Sequence, residues 1–68
     1  MAYEYIKRMY GLEFNPGEEV EMVDGGRKGV VTRMSRSYEH YVQVRFLGRS
    51  KPDNVHPNDL RKLNMLTD

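Results

Sequence analysis

The sequence predicts a single, mostly-β domain in which five short strands fold into a small barrel. A short N-terminal helix or arm precedes them, and a one-turn 3₁₀ helix comes before the last strand. Three observations predict this. Val42, Val44 and Phe46 alternate with Tyr41, Gln43 and Arg45, the period of two that a half-buried strand requires. Turn signals at Asn15-Pro16-Gly17, Asp24-Gly25-Gly26 and Gly48–Pro52 cut the chain into strand-length pieces. A length of 68 residues leaves room for one domain and no more.

Each element follows in chain order. Residues 1–14 form the arm or short helix: Tyr3, Ile6 and Tyr10, with Met9, fall at i, i+3 and i+7 on one helical face, and Gly11 stops the run. The barrel occupies residues 15–64. Its first strand spans Glu18 to Val23, where Val20 and Met22 alternate with Glu19 and Glu21. The second runs from Gly29 to Met34. Its alternation is broken, because inward Val31 and Met34 are three apart, and this implies a bulge or a strong bend. The third strand, Tyr38 to Phe46, is the clearest, with Val42, Val44 and Phe46 assigned to the core. A short fourth strand around Asn54 to His56 leads to Pro57, whose fixed φ starts a 3₁₀ or β-turn. Leu60 and Leu63 fill the core beside a last strand from Arg61 to Asn64, and residues 65–68 form a frayed tail.

The runs Pro16-Gly17-Glu18-Glu19-Val20, Gly29-Val30-Val31-Thr32-Arg33-Met34 and Val42-Gln43-Val44-Arg45-Phe46 resemble the strands of SH3-like barrels. The second run is similar to the Gly-x-Val-x-x-Ile/Met core of KOW-type domains in ribosomal and transcription-elongation proteins. Val55-His56-Pro57-Asn58-Asp59-Leu60 resembles the closing Val-x-Pro-x-x-Leu segment of such barrels. Tyr10-Gly11, Gly25-Gly26, Gly29-Val30-Val31 and His56-Pro57 are also similar to small phage- and prophage-encoded proteins without an assigned biochemical role. The resemblance implies an SH3-like fold and a binding role. It names no activity, since such barrels host many functions. Leu47 departs from the pattern, standing before Gly48 where a polar residue is more usual.

Charge is the main functional signal. The formal net charge of +1 conceals three blocks. Residues 1–26 carry two basic and six acidic residues, net −4; residues 27–51 carry seven basic residues against Glu39 alone, net +6; residues 52–68 carry two against three, net −1. A basic block flanked by acidic ones gives a dipolar surface that attracts anions despite a near-neutral total. Phosphate binding needs clustered cations, and unpaired bases need aromatic faces. Arg33, Tyr41 and Arg45 are expected on the outward face of the middle strands, with Arg27, Lys28, Arg36, Arg49 and Lys51 in the turns at their ends. These eight residues form the predicted nucleic-acid-binding set.

The expected function is therefore a non-enzymatic binding module contacting nucleic acid or a nucleoprotein. The alternative is a phage-type adaptor or inhibitor that grips a host protein. Self-association through edge strands is a further possibility in so small a barrel. A peptide-binding aromatic surface around Tyr38, Tyr41 and Phe46 has no acidic cluster beside it in sequence to receive a cation, which counts against a methyl-lysine cage. No cofactor or metal is expected. There are no cysteines, and His40 and His56 lack zinc-ligand spacing. Ser35, Ser37 and Ser50 have no nucleophile-elbow context. The Val-Gln-Ile-Tyr pore segment of the small-barrel plasmid-borne dihydrofolate reductases is matched only as Val42-Gln43-Val44-Arg45, without its tyrosine. No apolar run is long enough to span a bilayer. With the lack of cysteine, this leads to the expectation of a cytoplasmic protein with no membrane partner.

Overall fold

A computed structural model describes residues 3–63, so the expected tail at 65–68 and the end of the last strand at Asn64 lie outside the described residues. In chain order the elements are helix α1 (Glu4–Tyr10) and strands β1 (Glu19–Met22) and β2 (Lys28–Val31). A first 3₁₀ turn (Arg36–Tyr38) follows, then strands β3 (Val42–Phe46) and β4 (Asp53–Val55). A second 3₁₀ turn (Pro57–Asp59) leads into strand β5 (Leu60–Lys62). All strand pairs are antiparallel, in the order β4-β3-β2-β1-β5. The sheet curls into a half-barrel whose outer strands are β4 and β5. The mostly-β, five-stranded class with a short helix and a 3₁₀ turn before the last strand is the one the chain adopts.

The N-terminal segment is helical, but only part of its expected face goes inside. Tyr3 and Ile6 are fully buried, while Met9 and Tyr10 stay exposed. Seven residues cannot hold a helix alone. Burial of Ile6 and the Gly11 cap, whose N–H donates to Lys7 O from a φ of 70°, fix it. Tyr3 and Ile6 join Phe14, Val20, Val31, Val42, Val44, Phe46, Val55 and Leu60 in one core. Gly29 sits hard against β3: a Cβ there would lie 2.7 Å from Val44 Cγ1 and 2.8 Å from Arg45 O. Only hydrogen fits at that point, which explains the glycine in the middle of a strand.

Two expected strands are shorter than their β-prone composition suggests. β2 stops at Val31 instead of reaching Met34, and β3 begins at Val42 instead of Tyr38. One side chain accounts for much of this. Thr32 N–H still donates to Gln43 O at 2.8 Å. The return bond of the ladder is replaced by the Tyr3 hydroxyl, which donates to Thr32 O (2.8 Å) and accepts from Gln43 N–H (3.1 Å). A phenol wedged between two strands ends their direct pairing there. Beyond it, the Gln43 amide gathers the loop. Its Nε2 donates to Tyr38 O, Tyr41 O and Asn54 Oδ1, and its Oε1 accepts from Ser35 N–H. Gln43 is thus buried on the face of β3 that alternation assigns to solvent. Among the described residues, no buried side-chain polar atom lacks a partner.

The second 3₁₀ turn forms as Pro57 predicts. His56 caps it, with Nδ1 accepting the N–H of Asn58 at 3.1 Å. Among the described residues, no helix is long and apolar enough to cross a membrane.

Candidate functional site

Alternation along the strands decides which cations share a face. On β2, Gly29 and Val31 turn inward and Lys28 and Val30 outward; on β3, Val44 and Phe46 turn inward and Arg45 outward. The register pairs Arg45 with Val30, and Val30 with Glu19. Lys28 is one outward position further along, opposite Glu21. Lys28 and Arg45 are therefore diagonal neighbours on the outer face, within reach of each other's long side chains. Leu47, 75% exposed, lies beside Lys28, whose carbonyl accepts the Leu47 N–H; with Val30 and Leu63 it lines a small apolar depression on this face.

The remaining cations lie at the two ends of the β2–β3 hairpin. Arg33 is exposed on the loop just past β2, with Thr32 between it and the strand's last residue, and Arg36 opens the first 3₁₀ turn. At the opposite end, Arg49 and Lys51 occupy the turn between β3 and β4, and Arg49 pairs with Asp53 at 3.6 Å. The cations thus follow the hairpin lengthwise, with Lys28 and Arg45 between the loop pair and the turn pair. β3 alone is about 17 Å long at ~3.4 Å per residue.

Arg27 and Tyr41 go elsewhere. Arg27 lies at the end of the β1–β2 connection, and its guanidinium stacks 4.3 Å from the centroid of the Phe46 ring. Tyr41, 41% exposed, is held in a turn by its N–H bond to Tyr38 O. Both line a groove beside β4 with Met22, Phe46, Val55 and His56, and the carboxylates of Asp53 and Asp59 stand in the same lining. Next to it, the Tyr10 ring meets His56 edge-on, with Tyr10 Oη 3.5 Å from His56 Nε2. The sequence offers no local signal for this assembly. Asp53 and Asp59 reach the aromatics only because β4 returns along β3 and the second 3₁₀ turn swings back against β1, where Asp59 O accepts the N–H of Val23.

The ion pairs sort the charges. Lys7 pairs with Glu13, Arg61 with Glu21 and Lys62 with Glu18. Of the basic block at 27–51, Arg49 pairs with Asp53, while Lys28, Arg33, Arg45 and Lys51 have no ion pair among the described residues. No protein-family model, curated protein or solved structure matches the chain.

Proposed function

We propose that the domain is a non-enzymatic binding module that contacts nucleic acid, alone or within a nucleoprotein, through the outward side of the β2–β3 hairpin. The observation that carries this reading is the pairing of charge. Three acidic side chains of the N-terminal third, Glu13, Glu18 and Glu21, are partnered by Lys7, Lys62 and Arg61, all outside the basic block. These three acids therefore do not pair with Lys28, Arg33, Arg45 or Lys51. Exposed cations distributed along one hairpin suit a phosphate backbone. Nothing in their arrangement reads base edges, so binding is sequence-tolerant and set by salt.

Electrophoretic shift with single- and double-stranded DNA and RNA at about 50 and 200 mM salt tests this. Affinity should fall steeply between the two. The charge reversals Lys28→Glu and Arg45→Glu together should lower affinity at low salt by roughly tenfold or more. Lys7→Glu, on the helix, should change it little. Absence of a shifted species at about 100 μM protein in the lower salt would exclude the proposal.

A further inference from the structure

The groove beside β4 differs in chemistry from the hairpin face, because the carboxylates of Asp53 and Asp59 stand in its lining with Arg27 and the aromatic rings. We propose that it docks a peptide segment bearing arginine or lysine, seating the cation against Tyr41 and Phe46 with the carboxylates of Asp53 and Asp59 around it. The inference uses different residues from the hairpin cations and stands without the nucleic-acid reading.

Charge complementarity and ring geometry carry it. The Arg27 guanidinium lies over the Phe46 ring at 4.3 Å, so the groove side of this otherwise buried ring already receives a cation that an incoming one can replace. A cation held within about 6 Å of a ring centroid is attracted by the ring quadrupole. Arg27 has no carboxylate within ion-pair distance among the described residues, although Asp53 and Asp59 line the same groove. Asp59 forms no ion pair there, and Asp53 is shared only with Arg49 at 3.6 Å. The groove thus combines a partly exposed tyrosine, the edge of the core at Phe46 where Arg27 lies over the ring, an apolar wall at Val55, and two carboxylates of which only Asp53 is in an ion pair among the described residues. An anion would meet both carboxylates; a purely apolar segment would leave them without partners as they lost water. A cationic side chain with an aliphatic stem satisfies both walls. It takes over the Phe46 face, and Arg27 turns out to solvent.

The test is a nitrogen-15 NMR titration of the full chain. The probe is an acetylated, amidated hexapeptide of alternating leucine and arginine, and the control replaces each arginine with citrulline, which keeps the shape and removes the charge. The arginine peptide should shift the amides of Tyr41, Phe46, Val55 and Asp59, and the citrulline peptide should bind at least tenfold more weakly. Asp53→Asn with Asp59→Asn should weaken the arginine peptide at least fivefold. Tyr41→Leu should weaken it independently, which keeps the test decisive if the double variant loses its dispersed spectrum. Lys28→Glu with Arg45→Glu should not weaken it. Equal binding of the two peptides, or shifts confined to the hairpin face, would overturn the proposal. So would groove shifts that depend on protein concentration alone, which would make a second copy of the chain the occupant.

Discussion

The Tyr3 hydroxyl completes the sheet where its own backbone does not. The residue adopts a left-handed conformation, φ 57°, at the start of α1. That costs a non-glycine residue about 1–2 kcal/mol. The cost is offset by complete burial of the ring and by the hydroxyl's bridge between Thr32 O and Gln43 N–H. Tyr3→Phe keeps the ring and leaves two buried backbone groups without partners. It should destabilise the domain by about 1–3 kcal/mol in urea denaturation, with little change in the native spectrum. The same residue gives an alkaline signature. Burial raises the Tyr3 pKa above the usual tyrosine value, outweighing the bonds to Gln43 and Thr32 that lower it. The folded state therefore holds this proton more tightly than the unfolded state. Its contribution is fully present below about pH 10, the unfolded value, and is lost as pH rises through the folded value. Stability measured from pH 8 to 11 should fall at the alkaline end in the native chain, and less steeply in Tyr3→Phe. An identical alkaline fall in the two proteins would show that Tyr3 is not its source. The helical spacing puts Tyr3 and Ile6 on one face with Met9 and Tyr10, of which only the first two are buried. It could not reveal the hydroxyl's role, because its partners are 29 and 40 residues away in sequence.

At the scale of elements, strand boundaries were less legible than strand faces. The alternation of Val42, Val44 and Phe46 identifies the inner side of β3, and all three are buried. The composition of Tyr38–Tyr41 favours a strand, yet the Gln43 amide draws that stretch into a turn by bonding to the carbonyls of Tyr38 and Tyr41. A glutamine at a nominally outward position carries no sign that a loop will fold over it. Gly29 is clearer in retrospect. Its φ is not positive, so its requirement is space alone. Gly29→Ala forces β2 and β3 apart against Val44 and the β3 backbone. The expected cost is about 1–3 kcal/mol, with each kcal/mol lowering Tm by about 4–8 °C in a domain of this size. A melting temperature equal to that of the native chain would mean the two strands have slack at this point. α1 depends on packing in the same way. Ile6→Ala removes the one buried side chain within its span and should cost about 2–5 kcal/mol. A domain of this length has roughly 3–10 kcal/mol in total. Loss of helical circular dichroism together with earlier unfolding is the expected outcome; loss of helix alone would show that α1 docks independently of the barrel.

Across the whole molecule, the sequence displayed the charge blocks but not their cancellation. Which acids neutralise which bases depends on β5 returning to lie beside β1, a pairing that no local pattern announces. That return places Arg61 directly opposite Glu21, with Nη2 2.7 Å from Oε2, on the same outward row as Lys28. Glu21 is therefore occupied on its β5 side, and Lys28 on its β2 side is left to solvent. A long-range effect follows. If Lys28, Arg33, Arg45 and Lys51 each neutralise one phosphate of a duplex, log affinity should fall against log salt with a slope of about −3.6. Arg61→Gln lies outside this set but frees Glu21 beside Lys28. The freed carboxylate competes with phosphate for that lysine, so the slope should become shallower by about one unit, with low-salt affinity reduced. The Arg61 side of this pair is 57% exposed but Glu21 only 16%, so urea denaturation of Arg61→Gln is needed beside the salt series to separate a change in binding from a change in stability. An unaltered slope in Arg61→Gln, with Lys28→Glu still weakening binding, would mean that Glu21 does not govern the charge of the hairpin face, and that the partition of ion pairs is not what leaves it cationic.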